Sequence, residues 1–92
     1  MNRVYLNDLY DIYSELLTTK EKEIFEDYYQ NDLSLSEISE NNSVTRNAIH
    51  KTIKNVEEKL NNYENKLNIY KKKQDIIKLI DKQEYDKILD IL

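Results

Sequence analysis

Ninety-two residues without one glycine or proline leave a chain few ways to fold. Tight turns and sheet corners lean on those two residues, so their absence favours helices joined by short polar connections. The predicted fold class is therefore all-α. The length allows one modest core, or a small domain with a helical extension. There is no cysteine, which rules out disulfides and thiolate metal sites and suits the cytoplasm. No stretch is apolar enough to span a bilayer and the first residues lack a signal-peptide core, so membrane insertion is not expected.

Residues 34–54, SLSEISENNSVTRNAIHKTIK, read as a helix-turn-helix. Ser34 and Glu37 form a capping box, in which hydroxyl and carboxylate satisfy free amides at a helix start. Leu35 and Ile38 share a face of the short helix that follows, with small Ser39 beside them. Asn41 and Asn42 are expected to make the turn, because asparagine tolerates the left-handed conformation. Val44 is expected to plug the space between the helices, and Thr45 to cap the second one. That helix would turn Ala48, Ile49 and Ile53 inward and leave Arg46, Asn47, His50, Lys51 and Lys54 outside. A buried stripe opposite a basic, amide-bearing stripe is what a helix reading the major groove requires. The predicted nucleic-acid contacts are Thr45, Arg46, Asn47, His50, Lys51 and Lys54. Arginine suits a guanine edge, asparagine an adenine, and the lysines suit phosphates.

The net charge of −4 argues against an unselective nucleic-acid binder, but the charge is unevenly spread. Residues 1–42 carry three basic and ten acidic side chains, residues 43–92 eleven basic and eight acidic. From Ser43 to Val56 there are three cations and no acid. So small a patch neutralises few phosphates per copy, and binding should be weak and salt-sensitive.

On the N-terminal side, Leu6, Leu9, Tyr10, Tyr13, Leu16 and Leu17 recur with helical spacing and predict an amphipathic helix. Thr18 and Glu21 signal the start of a second, burying Ile24, Phe25 and Tyr28 and ending near Asn31. Asp32 and Leu33 then connect to the helix-turn-helix. On the C-terminal side, Ile49, Ile53, Val56, Leu60, Tyr63, Leu67 and Tyr70 alternate in steps of four and three. That seam predicts one long helix from Arg46 to Lys73, roughly 40 Å at 1.5 Å per residue. It fails at Gln74, and short helical stretches around Ile76–Ile80 and Tyr85–Leu92 follow.

The division expected is 1–56, N-terminal helices with the helix-turn-helix, and 57–92, long-helix extension with C-terminal helices, in one structural unit. The seam from Val56 onward has two candidate partners: the chain's own C-terminal helices folded back, or a second copy. A homodimer is the favoured expectation, with Val56, Leu60, Tyr63, Leu67 and Tyr70 as its interface. The eight tyrosines fit amphipathic packing better than base stacking. His50 is the lone histidine and marks neither a metal site nor a nucleophile–base pair. Glycine-rich phosphate loops cannot exist here, so no enzyme, metal or cofactor is expected.

Leu17–Thr18, Lys20–Glu21, Tyr28–Tyr29, Asp32, Ser34–Leu35, Glu37–Ile38 and Val44–Ile49 together resemble the motifs of the YlxM-type helix-turn-helix proteins of bacteria. Those proteins are themselves similar to sigma-factor region four. The likeness runs from about Leu6 to Tyr70. It implies an all-helical cytoplasmic protein and a regulatory role connected with the signal recognition particle pathway, whose GTPase genes neighbour those of the family. By the same likeness, Arg46, Asn47, His50 and Lys51 would face DNA. The rival reading is an adaptor for components of that particle, reading no base sequence. Two positions depart from the pattern. Asn42 stands where an apolar residue is usual, which should loosen the inter-helix core, and Ser43 stands where glycine often makes the turn.

Overall fold

The computed structural model describes residues 2–92, and among them there are six α-helices and no strand. The helices are α1 (Arg3–Tyr13), α2 (Thr19–Tyr29), α3 (Leu35–Asn42), α4 (Arg46–Leu67), α5 (Ile69–Asp81) and α6 (Ile88–Ile91). The fold is all-α, as the glycine- and proline-free composition predicts, with a helix-turn-helix where residues 34–54 predict one.

Caps set the helix starts. Asn2 accepts from the amides of Val4 and Tyr5 at the head of α1. Both predicted capping boxes are present, Thr18 with Glu21 and Ser34 with Glu37, each side chain reaching the other's backbone amide at 2.9–3.2 Å. The helix ends show how a chain without glycine turns. Asp32, Ser43, Asn68 and Gln83 take the left-handed conformation, with φ between 54° and 59°. Short polar side chains bear that backbone best, and glycine alone bears it free of steric cost.

Two apolar clusters share α4. Leu6, Leu9, Tyr10, Tyr13, Leu17, Phe25, Val56 and Leu60 form the larger one, where the Tyr10 and Phe25 rings stack 4.4 Å apart. Ile24, Ile38, Ile49 and Ile53 form the second, beneath the helix-turn-helix. Between them, Lys59 Nζ donates to Glu21 Oε2 at 2.6 Å and ties α4 to the start of α2. Burial works against the Glu21 carboxylate, but hydrogen bonds from Lys59 and Thr18 outweigh it and hold its pKa below the ordinary value.

Several expectations are corrected. α1 stops at Tyr13, and a single tight turn, Ser14–Leu16, leaves Leu16 exposed while delivering Leu17 to the core. α2 ends at Tyr29, and Tyr28 is only half-buried. The helix predicted from Arg46 to Lys73 is two helices meeting at Asn68, whose left-handed backbone (φ 54°, ψ 29°) makes an elbow. Glu64, buried at 7 % exposure, holds the elbow: it accepts from Tyr13 Oη at 2.6 Å and from the amides of Tyr70 and Lys71 at 2.9 and 3.1 Å. Its carboxylate thus caps α5 and fastens it to α1.

The seam is also used differently from the favoured expectation. Val56 and Leu60 are fully buried against α1 and α2 of the same chain and offer nothing to a second copy. Tyr63 donates to the Leu16 carbonyl, and Tyr70 packs edge-on against Tyr5 with ring centres 5.1 Å apart. Of the five residues expected at a dimer interface, only Leu67 stays open, at 47 % exposure.

Candidate nucleic-acid interface

The reading surface begins at a turn closed by backbone hydrogen bonds. α3 runs through Asn41 and Asn42, and Ser43 turns the chain (φ 54°, ψ 40°). The Ser43 amide donates to the Glu40 carbonyl and the Val44 amide to the Ser39 carbonyl, the paired bonds of a Schellman motif with serine at the usual glycine position. The turn therefore lies one residue later than asparagine preference suggests. Asn42 does not loosen the core: its amide donates to the Ile38 carbonyl at 2.7 Å, and its Oδ1 accepts from Lys20 Nζ at 2.9 Å. Lys20 thereby links the head of α2 to the turn, a contact that no sequence motif marks.

Thr45 caps α4, accepting from the Ala48 amide at 3.1 Å. Beyond it Ile49 and Ile53 are buried against Ile24 and Ile38, which fixes the roll of the helix about its axis. Ser39 lies buried beside them, its hydroxyl bonded back to the Ser36 carbonyl, so α3 and α4 can approach closely. All six predicted contact residues, Thr45, Arg46, Asn47, His50, Lys51 and Lys54, are exposed on the first turns of α4.

Two of the residues expected to point inward do not. Val44 and Ala48 are exposed, and with Ile24, Asn42, Ile49 and Thr52 they line a largely apolar hollow of about 180 Å³ on one flank of the reading face. The other flank holds a cleft of about 210 Å³ between Tyr28, Tyr29 and Leu35 on one side and His50 and Lys54 on the other. Glu57 lies at its base, almost buried, accepting from the Tyr29 hydroxyl and 3.4 Å from Lys54 Nζ. Burial, and then the bond to Glu57, push the Tyr29 pKa well above the ordinary tyrosine value. Sequence reading missed Glu57 because an acid following Val56 on a charged helix looks like surface. Among the described residues the ion pairs of α4 engage Lys54 and Lys59, but neither Arg46 nor Lys51. Those two cations stand beside Asn47 with their charge uncompensated. No group of three acids or histidines close enough to hold a metal occurs among the described residues. No helix there is long and apolar enough to cross a membrane.

Comparison with known proteins agrees with this geometry. The family model described as "Putative helix-turn-helix protein, YlxM / p13 like" matches residues 1–90. The chain belongs to this family. A UPF0122 protein of Fusobacterium nucleatum is 45 % identical over 95 % of the chain and 91 % of its own length. One from Clostridium kluyveri is 42 % identical over 98 % of the chain and 87 % of its own length. One from Thermoanaerobacter sp. is 44 % identical over 86 % of the chain and 68 % of its own length. The UPF0122 match spans both the helix-turn-helix and the α4–α5 elbow, so the elbow and its Glu64 anchor lie within the family's extent.

Proposed function

We propose that this chain is a cytoplasmic, non-enzymatic regulatory protein that binds nucleic acid through Thr45, Arg46, Asn47, His50, Lys51 and Lys54. One observation carries the reading: Ile49 and Ile53, locked in the core, force a cationic and amide-bearing stripe outward at the capped start of α4. Asn47 and Arg46 supply base-edge chemistry, Thr45 and Lys51 suit phosphates, and Lys54 must part from Glu57 to join them. Each copy offers few phosphate contacts, so a pair of copies reading two half-sites is the natural working unit, with reading helices about 34 Å apart or a multiple of that.

The test is fluorescence anisotropy on a pool of duplex fragments, read against salt. Arg46→Ala with Lys51→Ala should weaken binding on every fragment and reduce the salt slope by about 2 for each copy bound. A wild-type protein that ignores duplex DNA at low salt sinks this reading.

A second reading draws on the apolar hollow around Val44 and Ala48, surface of the kind a protein partner buries. Here the helix-turn-helix docks a protein component of the signal recognition particle, and the chain acts as an adaptor. A tagged pull-down with and without nuclease separates the two. Partners surviving nuclease but lost in Val44→Asp favour the adaptor, and partners that vanish with nuclease favour the regulator.

A further inference from the structure

Beyond the elbow, none of the residues in α5, in the short turn Tyr85–Lys87 or in α6 is buried. The apolar side chains there are nonetheless numerous. Ile69, Ile77, Ile80, Leu89 and Leu92 are each 40–78 % exposed, and Tyr85 is 58 % exposed. Several gather on one side of α5. Ile69, Ile76 and Ile80 recur at steps of seven and four along one face of α5. Ile69, Ile76, Ile77 and Leu92 wall an open apolar groove of about 380 Å³, with Lys72 and Lys73 on its rim.

At roughly 180 Å² for a fully exposed large apolar side chain, these residues present about 600 Å², the upper end of a typical monomer's largest patch and most of the ~800 Å² each partner gives a standard interface. It is also held ready. Glu64 clamps the first turn of α5 to α1 through Tyr13, so the groove is offered by a fixed helix and needs little ordering on contact. Its charges are unequal at the two ends. Residues 69–75 carry Lys71, Lys72 and Lys73 against Asp75, a balance of +2, whereas residues 76–92 carry Asp81, Glu84, Asp86 and Asp90 against Lys78, Lys82 and Lys87, a balance of −1. Two α5 helices laid antiparallel across a two-fold axis bring each copy's lysines to the other's acids, while a parallel arrangement opposes like charges.

The structure assigns the α5–α6 surface to a two-fold interface with a second copy of this chain, the α5 helices running antiparallel. The interface thus lies past the Asn68 elbow and not on the buried seam. α4, 22 residues and about 33 Å long, separates it from the reading face, so pairing leaves both helix-turn-helices open. An anionic lipid surface fits less well, because beyond Leu79 four acids, Asp81, Glu84, Asp86 and Asp90, outnumber Lys82 and Lys87 and would meet its headgroups.

Sedimentation of the full chain without nucleic acid tests this apart from any DNA binding, so failure here leaves the Arg46–Lys54 face untouched as a reading. The wild type should sediment with the mass of two chains. Ile77→Lys with Leu89→Lys should halve that mass at unchanged helicity, since Leu89 is 78 % exposed and Ile77 stands at the open groove wall, outside the core. Lys72→Glu with Lys73→Glu should raise the dissociation constant about tenfold or more, and adding Asp81→Lys with Asp86→Lys in the same chain should restore it. A wild type of single-chain mass at every concentration overturns the assignment, as does a two-chain mass that survives the lysine pair. So does a single-chain wild type that pellets with phosphatidylglycerol vesicles.

Discussion

Replacing Leu60 by alanine distinguishes a seam that builds one chain's core from a seam that joins two chains. Leu60 is fully buried in the cluster with Leu6, Leu9, Tyr13 and Phe25. Removing three carbon groups forfeits about 2.4 kcal/mol of transfer free energy at ~0.8 kcal/mol each. A half-collapsed void of roughly 40 Å³ adds about 1 kcal/mol at ~24 cal/mol per Å³. The expected loss is about 3.5 kcal/mol, which for a domain of this size lowers Tm by about 15–25 °C. Leu67→Ala, at a half-exposed position of the same seam, should lose less than about 1 kcal/mol. The assay is thermal melting followed by circular dichroism at several protein concentrations. It is best run on the Ile77→Lys/Leu89→Lys background, where pairing through α5 no longer contributes. An internal leucine gives a deficit independent of concentration. A leucine between copies gives one that is absent in dilute solution and grows as protein is added, by mass action. A deficit below about 1 kcal/mol, or one that grows with concentration, refutes the packing described here.

The remaining expectations concern the turn and the ionisable groups. Ser43→Gly should raise stability by about 0.5–1 kcal/mol, because glycine takes the left-handed backbone of Ser43 free of steric cost; a lowered Tm would mean that the serine side chain contributes something the backbone argument omits. Burial first, and hydrogen bonds to Glu26 and Glu64 second, push Tyr10 and Tyr13 up to about 12. Their raised values mean stability that is whole below pH 10.0 and lost as pH climbs through about 12; phenolate absorbance of the folded protein should lag that of the urea-unfolded chain across this window. At the acid end the sign reverses. Glu21 has a lowered pKa, so its contribution is present above 4.5 and fades as pH falls through the folded value; Glu21→Gln should flatten that limb of the stability curve.

Local signals in this sequence are legible because their chemistry is local. Both capping boxes, the Thr45 cap and the inward set of Ile49 and Ile53 follow from residues within one or two turns. The turn itself was displaced by one residue. Asparagine's tolerance of positive φ points to Asn41–Asn42, but Asn42 finds better partners as the last residue of α3, in the Ile38 carbonyl and Lys20, and Ser43 takes the turn instead. Lys20 is 22 positions away, beyond any local window. The elbow was hidden for a different reason. Apolar periodicity records which residues face a core, and Tyr63 and Tyr70 both face α1 whether one helix or two carry them there. Asn68 gives no warning, since Asn61, Asn62 and Asn65 just before it are helical. What decides the break is Glu64, whose carboxylate gains two backbone amides and the Tyr13 hydroxyl only if α5 starts afresh.

The reading face and the C-terminal surface are coupled by arithmetic. Among the described residues α4 presents Arg46 and Lys51 without an ion-pair partner, and Lys54 already faces Glu57 at 3.4 Å. Two phosphates neutralised per copy give a salt slope near −2, at about −0.9 for each, which supports only weak attachment at cellular salt. An acidic chain of net charge −4 adds long-range repulsion to that deficit. Two linked copies double the slope to about −4 and make the second contact effectively intramolecular, so affinity multiplies without any new residue touching nucleic acid. The Ile77→Lys/Leu89→Lys protein, altered only past the elbow, should therefore bind DNA with about half the wild-type slope. Equal slopes for the two proteins would mean that each reading helix acts alone. The α5–α6 pairing would then have no part in recognition.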